Sequence, residues 1–314
     1  MKLAFFPGCL VDMFYPEVGI AAVNVLERLG CDDIDLPKEE ICCGQGLVNS
    51  GYAKETAHVA RYVIDAYSKT DYDYIVSLTG SCMNAIVNDY PPLLADDPVY
   101  LEKLEKLSKR MYEFTDFIVN VLGVTDVGAH LDATVTYHAS CHMTRFLGLA
   151  EPPLQLLRAV DGITYLEMEH KERCCGFGGT FSVKQPEISG EMVKEKCRTV
   201  IATGADVLVG ADLPCLMNIK GALSRMRTEG ELDRDIEVLH IAQVLDMGGE
   251  LAWRFSTTKT RACASAWTSA SKTTSSTTRS RSRRRPSTTS ASSSSRRCPT
   301  GRGCAKAPSR SATR

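Results

Sequence analysis

Short apolar runs alternate with stretches of helical period along roughly the first 250 positions. Lys2–Phe6 is a compact apolar run that predicts a strand. Glu17–Leu29 carries apolar residues at Val18, Ala21, Ala22, Val25, Leu26 and Leu29, the spacing of one helix face, and Gly30 ends it. Asp32–Leu36 predicts a second strand, Ala53–Tyr67 an amphipathic helix and Tyr74–Leu78 a third strand. The order then recurs: strand at Ala133–Tyr137, helix at Pro152–Val160, strand at Ile163–Leu166, helix at Pro186–Ala202, strand at Val207–Val209 and helix at Pro214–Met226. Strands alternating with helices predict parallel α/β units. The expected fold is α/β, with two pseudo-symmetric lobes, each a parallel sheet flanked by helices. The expected boundaries are a first lobe over 1–97, a connector over 98–131 that is helical through Pro98–Gly123, and a second lobe over 132–254.

The cysteines repeat with the elements. Cys9 is followed 33 residues later by Cys42-Cys43-Gly44, and Cys82 comes 39 after Cys43. Cys141 is followed 33 residues later by Cys174-Cys175-Gly176, and Cys215 comes 40 after Cys175. Each of these cysteines falls at or just after a predicted strand. In open parallel α/β sheets the loops at the carboxyl ends of the strands converge on ligand sites. Cys9, Cys42, Cys43 and Cys82 are therefore expected to face one point, and Cys141, Cys174, Cys175 and Cys215 another. Cys31 and Cys197 stand outside the pattern and read as small buried hydrophobes.

Charge and composition then narrow the setting. Of 37 Lys and Arg, 14 lie in residues 255–314, which hold no Asp or Glu, so residues 1–254 carry 23 basic against 38 acidic side chains. A body with net charge −15 argues against a nucleic-acid partner. The tail contains no Leu, Ile or Val, and Ser and Thr make up 28 of its 60 residues. Such a segment is expected to be disordered, and it reads as an out-of-frame extension rather than a basic RNA- or lipid-binding arm. No run reaches the ~18–20 apolar residues of a membrane span. The amino terminus has no signal-peptide pattern, so a cytoplasmic setting with reduced thiols is expected.

Four thiolates suit either zinc or an iron–sulfur cluster. No tight Cys-x2-4-Cys knuckle occurs here, and adjacent cysteines strain a single tetrahedral ion. A multi-iron cluster offers neighbouring thiolates separate irons, so the spacing favours iron–sulfur over zinc. Thiol–disulfide exchange at the vicinal pairs is a third option.

These motifs resemble the cysteine-rich (CCG) domain family, which includes a subunit of heterodisulfide reductase and the iron–sulfur subunits of glycolate oxidase and anaerobic glycerol-3-phosphate dehydrogenase. Within it, the chain is most similar to the L-lactate utilisation protein A family. The resemblance rests on Phe6–Phe14, Ile41–Gln45, Ser77–Met83, Tyr137–His142 and Arg173–Phe181. It implies an oxidoreductase subunit of a complex oxidising L-lactate to pyruvate, with electrons relayed through clusters held by the eight cysteines. It also implies partner subunits, a ferredoxin-like iron–sulfur protein among them, and a small 2-hydroxy acid substrate. The fullest family pattern ends in Cys-x-x-Cys, giving five cysteines per site. Here Thr79 and Asp212 stand where the first of that pair would be. Four per site favours a conventional [4Fe–4S] cluster, up to two in all, over the unusual clusters of heterodisulfide reductase.

One stretch breaks the symmetry of the repeat. His138, His142 and Arg145 surround Cys141, whereas the first lobe has only Gly8-Cys9-Leu10. These three are candidate catalytic residues: an imidazole to take the hydroxyl proton and a guanidinium to hold a carboxylate. The alternative is that the histidines hydrogen-bond cluster sulfurs or loop backbone. Gln45 and Asp12 read as loop-stabilising residues, and His58, His130, His170 and His240 as surface or capping residues.

Overall fold

The computed structural model describes residues 1–37 and 42–248; the expected disordered tail and the end of the expected second lobe lie outside them. Two four-stranded sheets form, all pairs parallel. The first has the order β2-β1-β3-β4, from Asp33–Asp35, Lys2–Phe6, Tyr74–Ser77 and Met111–Glu113. The second has the order β6-β5-β7-β8, from Asp161–Tyr165, His130–His138, Val207–Gly210 and Glu237–His240. The two-lobed α/β architecture expected from the pattern is the one observed.

The stretch Pro98–Gly123, expected to be helical, contains a strand. After the helix Pro98–Ser108 the chain enters β4, which pairs with β3 through Ile75–Met111, Val76–Tyr112 and Ser77–Glu113. Three residues are too few to show a period. What makes them a strand is burial of Met111 and Glu113 against the finished sheet. β8 is equally hidden, behind a charged loop.

Strand alternation divides the core. Leu3 and Phe5 point into a hydrophobic layer shared with Val135, Tyr137, Val207 and Val209 of the other sheet. Ala4 and Phe6 face the helices Ala53–Ser68 and Pro98–Ser108 in a separate cluster. Leu208 likewise faces the helices Pro186–Ala202 and Leu213–Thr228. Strands buried on both faces need near-continuous apolar runs, and Leu3-Ala4-Phe5-Phe6 is one. The helix Pro16–Arg28 belongs to the first half but packs on Ile241–Asp246 of the second. Arg28 seals that joint, donating to Asp246 Oδ1 at 2.8 Å and to the Leu245 carbonyl at 3.2 Å. The two lobes therefore share one central core, with a private core outside each sheet.

Candidate metal centres

Each candidate ligand cysteine sits where a strand hands over to a helix. Cys9 opens the helix Cys9–Phe14 after β1, Cys42-Cys43 precede Gln45–Val48, and Cys82 lies within Gly80–Asn84 after β3. Cys141 follows β5, Cys174-Cys175 follow β6, and Cys215 lies in the first turn of Leu213–Thr228 after β7. Two glycines make the approach possible. Gly8 has φ 84, ψ 150, a conformation essentially reserved for glycine, and a Cβ there would lie 3.3 Å from Cys82 Sγ. Gly44 is left-handed at φ 74 and donates its N–H to Cys42 Sγ at 3.4 Å.

The thiols meet as the spacing predicts. Cys9 Sγ and Cys42 Sγ are 3.7 Å apart. Hydrogen bonds from Cys43 and Cys9 hold the Cys42 thiol far below the usual range, at about 2. Its partners rise in exchange: Cys9 through its bond to Cys42, and Cys43 through its bonds to Cys42 and Cys82 together with burial. The second lobe repeats this. Bonds from Cys141 and Cys175 bring Cys174 down to about 2, Cys175 is raised by Cys174, Cys215 and burial, and Gly176 donates to Cys174 Sγ at 3.4 Å. In both lobes the four sulfurs form one connected group, Cys9 to Cys42 to Cys43 to Cys82 and Cys141 to Cys174 to Cys175 to Cys215. All ten described cysteines are free thiols; Cys31 and Cys197 are fully buried away from both clusters, as expected.

Comparison with known proteins agrees with this doubling. The Cysteine-rich domain family (CCG) matches residues 3–87 and again 135–220, one match on each sheet. Lactate utilization protein A of Bacillus subtilis (strain 168) is 50% identical over 246 residues, covering 78% of this chain and 99% of that protein. The protein of the same name from Exiguobacterium is 48% identical over 247 residues, covering 79% of this chain and 98% of its own length. The chain belongs to the lactate utilization protein A family.

A crystal structure of a hypothetical protein from Helicobacter pylori shares the fold, with TM-score 0.55 at 12% identity over 79% of this chain. This chain spans about half the length of that one (49%).

The family member's two centres are not equivalent in their surroundings. His138, the last residue of β5, is 1% exposed, and burial pushes its imidazole down to about 3. Neither ring nitrogen makes a hydrogen bond of good geometry among the described residues, and the Lys171 backbone interacts with the ring only weakly. A ring nitrogen, Cys175 Sγ and Cys215 Sγ lie within 4.8 Å of one another. His142 and Arg145 are placed differently, on the turn His142–Phe146 at the lobe junction. His142 Nδ1 is 3.8 Å from Cys141 Sγ, and its Nε2 is 3.2 Å from Gln45 Nε2 of the first lobe. Arg145 is exposed and donates to the Glu172 carbonyl at 3.2 Å. A cavity of about 180 Å³ opens beside Cys9 and Cys42, walled by Phe6, Asp12 and Tyr67, and none of the three candidate catalytic side chains lines it.

Three features have no signal in the sequence. Asp212, 1% exposed, accepts from Ser140 Oγ at 2.8 Å and from Ser81 Oγ of the first lobe at 2.9 Å. It stands where the fullest family pattern has a cysteine, and here it ties the two lobes together. Lys196 is fully buried, its ammonium donating to the His170 and Lys171 carbonyls at 3.0 and 2.9 Å, and burial lowers it to about 8. Gln45, expected to stabilise its own loop, instead crosses to His142.

Proposed function

We propose that this chain is the iron–sulfur subunit of a complex that oxidises L-lactate to pyruvate, with one [4Fe–4S] cluster in each lobe. The observation that carries the reading is the convergence of four thiols twice in one molecule. The donor set fits: soft sulfur ligands, two near the surface and two buried in each lobe, with a backbone N–H already directed at one sulfur. Cys9, Cys42, Cys43 and Cys82 would hold one group, and Cys141, Cys174, Cys175 and Cys215 the other. Such groups supply one-electron redox chemistry when bound.

The relatives' name, Lactate utilization protein A, supplies the substrate class. Oxidation of lactate to pyruvate releases two electrons and two protons, and two one-electron centres in one rigid block match that stoichiometry. His142 is the candidate acceptor for the hydroxyl proton, and Arg145 the candidate anchor for the carboxylate. The remaining subunits, including a ferredoxin-like iron–sulfur protein, would complete the path in the cytoplasm. The cluster-holding lobes are read as 1–97 and 132–254, with the joining segment 98–131 adding β4 to the first sheet and the start of β5 to the second. No described helix is long and apolar enough to cross a membrane.

Anaerobic purification followed by metal and sulfide analysis tests this. Iron with acid-labile sulfide, lost on changing the eight cysteines to serine together with lactate oxidation by the complex, is the expected result. Stoichiometric zinc without sulfide would replace the reading with a zinc-binding assembly scaffold. Reversible Cys42–Cys43 oxidation without metal would replace it with thiol–disulfide chemistry.

A further inference from the structure

The repeat supplies an internal control for every residue around the two centres. Cys9 lies three residues after Phe6, and Cys141 three after His138. Phe6 ends β1 and pairs with Ser77, while His138 ends β5 and pairs with Gly210, so the two rings hold the same place in their sheets. Both are 1% exposed. In the first lobe an apolar ring is sufficient there, packed 5.3 Å from the Tyr67 ring. Packing alone gives no reason for the second lobe to carry an imidazole at this position.

An imidazole there has a cost that phenyl does not. A buried polar atom without a partner is destabilising, and neither His138 nitrogen makes a hydrogen bond of good geometry among the described residues, the Lys171 backbone offering the ring only a weak interaction. The side chain does not reach solvent to relieve it. What it does face is Cys175 Sγ and Cys215 Sγ, mutually within 4.8 Å of one of its nitrogens. A nitrogen and two sulfurs this close together are within reach of one bound metal group. We propose that His138 is a direct nitrogen ligand of the metal group in the second lobe, which makes the first centre a four-sulfur site and the second a four-sulfur, one-nitrogen site. The inference rests on the cluster reading above and adds a donor to it. It also makes the centres chemically distinct, because an added nitrogen donor changes the second centre's ligand field, and with it the potential, without changing its net charge.

The test is pulsed EPR on the reduced, full-length protein prepared anaerobically with [15N]histidine. Nitrogen coupling of ligand strength that changes with the isotope is expected in the wild type. The same coupling is expected to persist in His142→Gln and to vanish in His138→Phe, the residue the first lobe already tolerates. The wild-type isotope comparison needs no substitution and so does not depend on the variants folding. Iron and sulfide present with no histidine coupling would overturn the proposal and leave the cluster reading standing. Coupling that survives in His138→Phe would also overturn it. A wild-type protein holding no iron would overturn both.

Discussion

Glu113 is the clearest case of one residue working against its environment. It ends β4, and its Oε2 accepts from Thr115 N at 2.8 Å, from Asp116 N at 3.1 Å and from the Thr115 hydroxyl. Those donors favour the carboxylate, but the side chain is fully buried and Oε1 has no partner among the described residues. Burial wins and pushes the group up to about 8 from 4.5. Between those values the folded chain holds a proton that the unfolded chain has released. Stability is therefore full below about pH 4.5 and declines as pH rises towards 8, by at most about 1.4 kcal/mol per pH unit. Glu113→Gln, neutral at every pH, is expected to remove that slope. Denaturant melts of wild type and variant at pH 5 and pH 8 measure it, and parallel losses in both would contradict the assignment. Gly8 gives a second test at this scale. Gly8→Ala forces an L residue into a glycine-only conformation and presses a methyl on Cys82 Sγ, at an expected cost of about 1–3 kcal/mol in thermal or chemical melts.

Among the elements, the short helix Ile241–Asp246 depends most on its cap. His240 Nδ1 accepts from Ala242 N, its backbone N–H donates to Gln243 Oε1, and Nε2–H donates to the Leu78 carbonyl of the first lobe. One ring thus starts a helix in one lobe and grips the strand end of the other. His240→Ala is expected to destabilise by about 1–2 kcal/mol at pH 7, the upper range for a lost cap. Burial also lowers this histidine to about 4 from 6.5. In that window the unfolded chain binds the extra proton, so stability drops as pH falls from 6.5 to 4, opposite in sign to Glu113. The variant's own melts, taken as a difference from wild type across that range, are expected to lack the acid-side drop. An unchanged drop would place its origin elsewhere.

At the scale of the molecule, the shared core decides how the chain unfolds. Leu3 and Phe5 of the first sheet and Val135 and Tyr137 of the second belong to one buried layer. Asp212 bridges Ser81 and Ser140, and Arg28 clamps Asp246 across the same boundary. Neither sheet keeps its inner face covered without the other, so residues 1–248 are expected to unfold in a single cooperative step. Hydrogen exchange measures this: amides of β1 and β5 are expected to lose protection at the same denaturant concentration. Earlier loss in either strand would mean that the lobes are separable.

How much of this is legible in the sequence follows from where each signal resides. The strands Lys2–Phe6, Tyr74–Ser77 and Val207–Gly210 are readable because a strand buried on both faces must be apolar at nearly every position. The two groups of four cysteines are readable because the doubled spacing is local and the carboxyl-end rule of parallel sheets then places them together. Met111–Glu113 is not, since three residues carry no period and only the waiting edge of β3 makes them a strand. The roles of Asp212, Lys196 and Gln45 are equally hidden, because each is defined by a partner 25 to 131 residues away. His138 shows the division most plainly. Its position beside Cys141 is visible as a break in the repeat, and the sequence leaves two readings of it open. Only the tertiary structure seals the ring from solvent, leaves both nitrogens without a hydrogen bond of good geometry among the described residues and sets one of them against Cys175 and Cys215, because burial and distance come from packing that no local pattern encodes.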